Sequence, residues 1–324
     1  MPLLHKILVG DCIDMMKSIP SESVHTCVTS PPYFGLRDYG VPGQIGHEPT
    51  AAEFVERLVE VFREVRRVLR RDGTLWVNLG DTYGVRNKQL LGVPWRLALA
   101  LQDDGWYLRQ DIIWNKPNPM PESTKDRCTK AHEYIFLLSR SRSYYCDMDA
   151  IREPAADSSL ARWSQDIDGQ LGSLGPGKSN GVMKAVGGNR SKRDSFQRSD
   201  SKREQVIPGQ RKGTHRPDRA PSDWDPMMRN KRSVWTVPTQ SFKGAHFATF
   251  PPDLIRPCIR AGAPRGGTVL DPFGGAGTTA VVSMQEGRRS ILCELNPDYA
   301  ELARARLAQA HLDGAAQMDV FHDA

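Results

Sequence analysis

Short apolar runs alternate with a long amphipathic stretch in the first part of the chain. Residues 6–9 and 23–29 are rich in β-branched and apolar side chains, a pattern that predicts two strands. Residues 53–71 instead place apolar side chains every three or four positions, which predicts a helix with one buried face. Those positions are Phe54, Leu58, Val61, Phe62, Val65, Val68 and Leu69. Thr50 and Glu53 have the spacing of a capping box at the start of this helix.

The same alternation continues to the end of the chain. Further strands are predicted at residues 74–79, 110–114, 133–139, 233–237, 268–270 and 290–293. Further helices are predicted over residues 252–259, after residue 279 as far as Glu286, and from Pro297, capped by Asn296, to about His311. Strands that alternate with helices in this way predict an α/β fold built on a doubly wound, mostly parallel sheet.

The composition is that of an ordinary folded protein. Of the 324 residues, 39% are hydrophobic and 25% are charged, which is the average for globular domains and excludes a fibrous repeat or wholesale disorder. The first apolar run, residues 7–9, is far shorter than a secretory signal, and no stretch approaches the length of a membrane span. We therefore expect a soluble, cytoplasmic protein with no membrane partner.

The six cysteines are scattered, and none belongs to a Cys-x-x-Cys pair. They are Cys12, Cys27, Cys128, Cys146, Cys258 and Cys293. Because zinc sites and disulfide frameworks depend on grouped cysteines, this spacing predicts buried, reduced thiols. No metal site is expected.

Positive charge is concentrated in one segment, residues 170–219. Twelve Lys or Arg and four acidic residues give this segment a charge of +8, whereas the whole chain carries +6. Its basic residues are Lys178, Lys184, Arg190, Lys192, Arg193, Arg198, Lys202, Arg203, Arg211, Lys212, Arg216 and Arg219. The segment has few large apolar side chains, so it cannot bury enough surface to fold unaided. Two interpretations are open: a binding site for a polyanion, or a solvated linker.

A glycine-rich loop joins the strand at 268–270 to the following helix. Residues 271–279 read Asp-Pro-Phe-Gly-Gly-Ala-Gly-Thr-Thr, and Glu294 follows the next strand, 23 positions after Asp271. This is a nucleotide-binding arrangement, because glycines let a ligand approach the backbone and the acid accepts ribose hydroxyls. A dehydrogenase would carry a third glycine where Ala280 stands. The alternative is a tight turn without a ligand.

A second loop follows the strand at 23–29 and reads Thr-Ser-Pro-Pro-Tyr over residues 29–33. Ser30 provides a small hydrogen-bond acceptor, the two prolines hold their carbonyl groups in fixed directions, and Tyr33 provides an aromatic face. Those parts suit the binding of a planar base through its exocyclic amine. A plain turn is the alternative, but the presence of both loops in one α/β chain favours a nucleotide-dependent enzyme.

These blocks resemble the DNA amino-methyltransferases, which transfer a methyl group from S-adenosylmethionine to the exocyclic nitrogen of adenine or cytosine. The matching blocks are Gly10-Asp11-Cys12, Thr29 to Tyr33, Trp114-Asn115-Lys116-Pro117, Ser233-Val234-Trp235, His246 to Pro251 and Asp271 to Thr279. Their order, with the catalytic loop first and the cofactor loop last, is similar to that of the permuted β group.

The resemblance implies a Rossmann-like methyltransferase fold with an insertion. Residues 1–150 and 233–324 would form the two halves of the catalytic domain. Residues 151–232 would form a basic target-recognition region, partly disordered without DNA. Duplex DNA and S-adenosylmethionine are therefore the expected partner and cofactor.

The resemblance also implies roles for individual residues. Ser30, Pro31, Pro32 and Tyr33 would hold the base after it is flipped out of the duplex. S-adenosylmethionine would contact Asp11, His246, Phe250, Pro251, Asp271, Phe273, Gly275, Gly277, Thr278 and Glu294. Beside the resemblance, the charge of the basic segment predicts DNA contacts at Lys192, Arg193, Lys202, Arg203, Arg211 and Lys212, and Lys116 is a further predicted DNA contact.

The target base depends on position 30. In the family, Ser there commonly accompanies methylation of cytosine at N4, whereas Asp or Asn commonly accompanies methylation of adenine at N6, so Ser30 favours N4-cytosine. N6-adenine, methylation of RNA and an inactive nucleic-acid-binding protein of the same fold stay as alternatives. The recognition sequence, the oligomeric state and a cognate restriction endonuclease as a further partner stay open.

Overall fold

The structure, a computed structural model, describes residues 4–36, 38–84, 88–156, 228–240 and 250–322, with residues 314–322 described as backbone alone. The chain divides into two compact units. Met1–Ile151 and Arg232–Ala324 form the first unit, and Arg152–Lys231 forms the second. All the positions predicted to hold the cofactor or the base belong to the first unit.

An eight-stranded sheet forms the centre of the first unit. Its strands are β1 (His5–Val9), β2 (Val24–Thr29), β3 (Leu69–Leu79), β4 (Tyr107–Asn115), β5 (His132–Ser139), β8 (Val234–Thr236), β9 (Thr268–Asp271) and β10 (Arg289–Glu294). The order across the sheet is β1-β10-β9-β2-β3-β5-β4-β8. Strand β5 is antiparallel to β3 and β4, and the other neighbours are parallel. The predicted doubly wound, mostly parallel α/β fold is confirmed.

Helices cover both faces of this sheet. They are α1 (Cys12–Lys17), α2 (Ala51–Val68), α3 (Val93–Asp103), α4 (Pro252–Gly262), α5 (Thr278–Gln285) and α6 (Pro297–His322). Buried side chains of α1, α2 and α3 belong to one core cluster, and those of α4 and α5 contribute to another. Leu75 and Val77 of β3 belong to the first cluster and Trp76 to the second, as the alternating faces of a strand require. No helix among the described residues combines the length and apolar character that a bilayer crossing needs.

The predicted helix at residues 53–71 forms as α2, but it ends early. The Thr50 Oγ1 atom accepts a hydrogen bond from the Glu53 backbone N–H at 3.2 Å, which caps the helix start. The helix ends at Val68, because Leu69 has extended backbone angles (φ −67°, ψ 141°) and begins β3. The predicted helix end is therefore wrong: pairing with β2 supplies the next residues with hydrogen bonds of a strand.

The sequence pattern does not predict α1 or α3. Helix α1 has only 6 residues, too few for a hydrophobic period to show. Helix α3 is capped from a distance: the Asp81 carboxylate accepts hydrogen bonds from the backbone N–H groups of Gly92 (3.0 Å) and Val93 (3.1 Å). The last helix, α6, runs to His322 and so exceeds its predicted end at His311.

The described part of the second unit is an antiparallel pair of short strands, β6 (Glu153–Pro154) and β7 (Met228–Arg229). The Glu153 carboxylate accepts a hydrogen bond from Arg229 Nε at 3.0 Å. Residues 157–227, between the two strands, lie outside the described residues. They include every residue predicted to contact DNA except Lys116.

Candidate active site

A cavity opens at the carboxyl ends of β1, β2, β9 and β10, the edge at which doubly wound sheets bind ligands. Its empty space is about 1100 Å³, counting the space at its mouth. After β1 and β2 its lining contains Gly10, Asp11, Cys12, Ser30, Pro31, Pro32, Tyr33, Leu36, Tyr39, Val41, Gly43, Gln44 and Ile45. Near β9 and β10 it contains Phe250, Pro272, Phe273, Gly274, Gly275, Ala276, Thr278, Cys293, Glu294, Leu295, Asn296 and Tyr299. Both loops that the sequence singles out therefore meet here.

Asp271, at the end of β9, ties these two loops together. Its carboxylate accepts hydrogen bonds from Thr29 Oγ1 (2.6 Å), Thr279 Oγ1 (2.6 Å) and the Phe273 backbone N–H (3.0 Å). Burial raises the pKa of this carboxyl, and the three hydrogen bonds oppose that shift. Asp271 is fully buried and does not belong to the cavity lining. The structure thus gives Asp271 protein partners in place of the cofactor contact that the sequence predicted.

Gly277 explains part of the glycine pattern. Its backbone is left-handed (φ +79°), and a Cβ atom there would lie 2.7 Å from the Cβ of Ala303 in α6. Glycine at this position therefore lets α6 pack closely on the start of α5. Gly277 does not belong to the cavity lining, whereas Gly275, two residues earlier, does. The cofactor contact of Gly277 stays a prediction beside this packing contact.

Glu294 presents one carboxylate to the cavity. Its Oε2 atom accepts a hydrogen bond from the Gly275 backbone N–H at 2.7 Å, and its Oε1 atom accepts one from the Asn296 backbone N–H at 2.8 Å. Burial raises the pKa of Glu294 in spite of these hydrogen bonds. Each oxygen keeps a second lone pair, so the carboxylate can also accept hydrogen bonds from the hydroxyls of a ligand.

Asp11 presents the second carboxylate. It precedes α1, and its Oδ1 atom accepts hydrogen bonds from the backbone N–H groups of Ile13 (2.9 Å) and Asp14 (3.2 Å). The Oδ2 atom lies 3.6 Å from Arg57 Nη2. One side of the cavity is therefore acidic, which suits hydroxyl and amino groups of a ligand.

The base loop, residues 30–33, forms another part of the lining. The Tyr33 hydroxyl donates a hydrogen bond to Glu133 Oε2 at 2.6 Å. Burial raises the pKa of Tyr33 well above its usual value, and the charge of Glu133 adds to the shift. Pro31 is buried and Ser30 is half-buried.

Two thiols also line the cavity. Burial raises the pKa of Cys12 to about 12, with a smaller contribution from the charge of Asp11. Burial likewise raises the pKa of Cys293. Both side chains are therefore protonated at neutral pH and carry no nucleophilic thiolate. Among the described residues, no three His, Cys, Asp or Glu side chains are grouped so as to hold a metal ion.

Most of the predicted site residues within the described ranges come together in this cavity. Its lining includes Asp11, Ser30, Pro31, Pro32, Tyr33, Phe250, Phe273, Gly275, Thr278 and Glu294. Pro251 lies next to the cavity as the residue that precedes α4, and His246 lies outside the described residues. The same is true of the predicted DNA contacts Lys192, Arg193, Lys202, Arg203, Arg211 and Lys212.

The loop that follows the base loop is the part of the lining that sequence reasoning missed. Tyr39, Val41, Gln44 and Ile45 belong to it. Their only sequence signal is an aromatic side chain among glycines directly after the base loop. The place of Tyr299 in the lining could not be predicted, because a position near the start of a helix such as α6 does not show in the sequence which way its side chain lies.

Lys116 lies beside Glu133 and Trp114. Its ammonium group forms an ion pair with Glu133, and it lies 4.4 Å from the centre of the Trp114 ring. Only 19% of its side chain is exposed. The ammonium group thus has a partner within the protein, and the DNA contact of Lys116 stays a prediction.

The lining fits the cofactor that the sequence predicts. S-adenosylmethionine combines ribose hydroxyls and amino groups with an aromatic ring system. The carboxylates of Asp11 and Glu294 match the polar groups, and the aromatic rings of Phe250, Phe273 and Tyr299 match the adenine. Gly275 and its neighbours allow close approach of a ligand to the backbone.

The doubly wound sheet presents a glycine loop followed by an acidic residue, and a second loop with hydrogen-bond acceptors for an amine. This combination is typical of an enzyme that binds a nucleotide cofactor and acts on a planar amine. A family model described as DNA methylase, covering N6 and N4 methyltransferases, matches residues 24–305. The chain belongs to this family of DNA methylases.

Curated relatives agree with this assignment. Type II methyltransferase M.XycI of Xanthomonas campestris pv. cyanopsidis is 42% identical over 92% of this chain and 86% of its own length. Type II methyltransferase M.SmaI of Serratia marcescens is 39% identical over 93% of this chain and 90% of its own. These relatives and the family model confirm the predicted class of enzyme, a DNA amino-methyltransferase that takes its methyl group from S-adenosylmethionine.

Solved structures share the fold. The PvuII DNA methyltransferase, described as cytosine-N4-specific, superposes with a TM-score of 0.61 at 18% identity, covering 92% of this chain and 84% of that chain. A protein of Thermus thermophilus, solved in complex with S-adenosyl-L-methionine, superposes with a TM-score of 0.56 at 24% identity, covering 94% of this chain and 95% of that chain. The Rossmann-like methyltransferase fold is confirmed.

Proposed function

We propose that this DNA methylase transfers a methyl group to the exocyclic N4 atom of cytosine in duplex DNA. The observation that carries the proposal is Ser30, which stands in the cavity lining between the end of β2 and the two prolines. Serine supplies a neutral acceptor at the position where an adenine enzyme of this family commonly carries Asp or Asn.

The cofactor would occupy the part of the cavity next to the glycine loop. In this proposal Glu294 accepts the ribose hydroxyls, Asp11 lies near the adenine ring, and Phe273 and Phe250 pack against it. When bound there, S-adenosylmethionine supplies an electrophilic methyl group. The buried Asp271 holds the glycine loop at a set distance from the base loop through Thr29 and Phe273.

The base loop would bind the flipped cytosine. Tyr33 provides an aromatic surface that replaces part of the stacking lost from the duplex, a cost of about a few kcal/mol. The Ser30 hydroxyl oxygen and the Pro31 carbonyl would accept the two amine hydrogens. These contacts draw the hydrogens out of the ring plane and localise the nitrogen lone pair for attack.

Identification of the product tests this proposal. DNA methylated by the purified protein is digested to nucleosides and analysed by mass spectrometry, with DNA incubated without enzyme as the control. We expect N4-methylcytosine. N6-methyladenine alone would refute the choice of base and leave the class of enzyme intact, and adenine is the second candidate because the family model includes both amines.

We further propose that residues 151–232 recognise the DNA target. This segment contains the basic residues that give the chain its positive charge, and the rest of the protein is close to neutral. The phosphates of DNA attract such a basic segment whatever the base sequence of the DNA. A cognate restriction endonuclease with the same target is a further expected partner, in keeping with relatives named as Type II methyltransferases.

Salt dependence should reveal the phosphate contacts. If Lys192 and Arg193 each neutralise a phosphate, the double substitution Lys192→Gln/Arg193→Gln should flatten the plot of log affinity against log salt by about two units. The matched control is Lys17→Gln/Arg71→Gln, which removes the same charge from side chains that are 66% and 85% exposed on the catalytic unit. Equal slopes for the two double variants, measured by fluorescence anisotropy, would contradict the proposal.

A further inference from the structure

The loop between β4 and β5, residues 116–131, carries an exposed apolar side chain. Met120 is 86% exposed, more than any other large hydrophobic side chain among the described residues. It stands between Pro119 and Pro121. A single exposed methionine is ordinary on a protein surface, so its meaning depends on where this loop lies and how it is built.

The β4–β5 loop leaves the sheet at the edge where the cavity opens. Strand β5 is antiparallel to β3 and β4, and Leu79 at the end of β3 pairs with Tyr134 near the start of β5. At the end of β4, Asn115 pairs with His132. Strand β3 runs parallel to β2, whose end leads into the base loop. The β4–β5 loop and the base loop therefore project from the same edge.

Met120 is close to the base loop along the chain of contacts. Lys116, the first residue of the β4–β5 loop, pairs with Glu133, which also accepts the hydrogen bond of the Tyr33 hydroxyl at 2.6 Å. Met120 follows Lys116 by four positions, a reach of at most about 14 Å of extended chain. A base step of duplex DNA is about 3.4 Å. Met120 is thus within a few base steps of a base held by Tyr33.

The chain around Met120 is stiff. Pro117, Pro119 and Pro121 alternate with Asn118 and Met120. A proline fixes its own φ and disfavours a helical conformation of the residue before it, so this stretch is held extended. A side chain on such a stretch loses little backbone entropy when it enters a binding partner.

Contacts on both sides of Met120 anchor the β4–β5 loop. Before it, Asn118 Nδ2 donates to the Thr239 carbonyl at 3.2 Å, and Asn118 Oδ1 accepts from the Thr239 backbone N–H at 2.9 Å. After it, the Glu122 carboxylate pairs with Arg127 and accepts from the Lys130 backbone N–H at 3.3 Å. The loop is therefore braced against the protein, while the Met120 side chain stays in solvent.

The charge of the β4–β5 loop suits a polyanion. Its basic residues are Lys116, Lys125, Arg127 and Lys130, and its acidic residues are Glu122 and Asp126, so its net charge is +2. The chain outside residues 170–219, to which this loop belongs, carries a small net negative charge. Positive charge around an apolar side chain at the edge of the cavity favours duplex DNA as the partner of this loop.

We propose that Met120 is a wedge that enters the base stack of duplex DNA beside the flipped nucleotide and fills the space which that nucleotide leaves. This inference rests on the base flipping that the proposed function assigns to the base loop. Proteins that open or kink DNA insert apolar side chains, methionine among them, between base steps. Met120 is a positioning residue: it favours the flipped state of the base and takes no part in the transfer of the methyl group.

Met120→Ala tests the proposal on two duplexes. The methylated position is first located in DNA treated with the wild-type protein. One duplex has the target base correctly paired, and the other has a mismatched base opposite it, which lowers the cost of flipping. With protein and S-adenosylmethionine in excess, we expect Met120→Ala to lower the single-turnover rate about tenfold on the paired duplex and less than about twofold on the mismatched one.

Controls separate a wedge from general damage to the loop. Leu312→Ala truncates a side chain of α6 that is 63% exposed and outside the cavity lining, and it should leave both rates unchanged. Met120→Leu should recover most of the lost rate, because an apolar side chain of similar size can still enter the stack. Equal losses of Met120→Ala on the two duplexes, or a wild-type rate on the paired duplex, would overturn the proposal.

The outcome can be told apart from failure of the proposed function. The product of the wild-type protein is identified as a nucleoside in the same experiment. If that product is N6-methyladenine, the proposed base is refuted, and the two duplexes are built around the methylated adenine, so the comparison of rates still decides. N4-methylcytosine as product, together with an unaffected Met120→Ala variant, refutes the role of Met120 alone.

Discussion

Replacement of Ser30 by alanine is expected to lower the single-turnover rate of methyl transfer about a hundredfold, the loss typical of removing one hydrogen-bonding group from a reacting centre. The hydroxyl contributes most when the amine nitrogen becomes tetrahedral, so the rate should fall much more than the affinity for DNA. Single-turnover methylation with labelled S-adenosylmethionine, beside a fluorescence measurement of DNA affinity, gives both quantities.

The control lies at the other end of the same strand. Ser23 precedes β2, and its hydroxyl donates to the Pro20 carbonyl at 2.6 Å on the surface of the protein. Ser23→Ala should therefore methylate DNA at the normal rate. A Ser30→Ala variant with the rate of wild type, or one that loses DNA affinity and rate to the same extent, would show that Ser30 does not act on the amine.

Replacement of Glu294 by glutamine is expected to weaken binding of S-adenosylmethionine by about 2 kcal/mol, which is about thirtyfold in Kd. The carboxylate already accepts two backbone N–H groups, and an amide has only one oxygen to share among those groups and the ribose hydroxyls. Isothermal titration calorimetry measures the change. The control is Glu301→Gln, an exposed residue of α6 outside the cavity lining, which should bind the cofactor normally.

The pH dependence of cofactor binding gives the same prediction a second readout. Burial raises the pKa of Glu294, so protonation begins at a higher pH than for an exposed glutamate. The ionised form is the better acceptor, and affinity should therefore be full above the raised pKa and fall as the pH drops through it. Glu294→Gln should remove that step. A step of equal size in the variant would assign it to another group.

The methyltransferase class could be predicted from the sequence because its signals are local. The glycine loop, the acidic residue 23 positions after Asp271 and the base loop are each short stretches in which residue type and spacing carry the chemistry. The strands around these loops could also be predicted from the sequence, because a buried parallel strand is a continuous run of apolar residues. The order of these blocks along the chain was sufficient to indicate the permuted family.

Local spacing was less informative about roles. The family resemblance implies a cofactor contact for Asp271, but its carboxylate accepts a hydrogen bond from Thr29, 242 positions away. Gly277 packs against Ala303 of α6, which the loop pattern cannot show. In both cases a residue of the glycine loop makes a contact within the protein that its place in the motif does not show.

The sequence by itself determined the class of fold, the family and the segments that meet at the site, because strand periods, glycine loops and loop chemistry are properties of neighbouring residues. Only the tertiary structure decided how the site is held. Tyr33 and Glu133 are 100 positions apart along the chain. The sequence predicts a DNA contact for Lys116, and only the pairing of β4 with β5 shows its ammonium group beside the Glu133 carboxylate. Hydrogen bonds between side chains depend on distances across the sheet, and a linear pattern contains no measure of those distances.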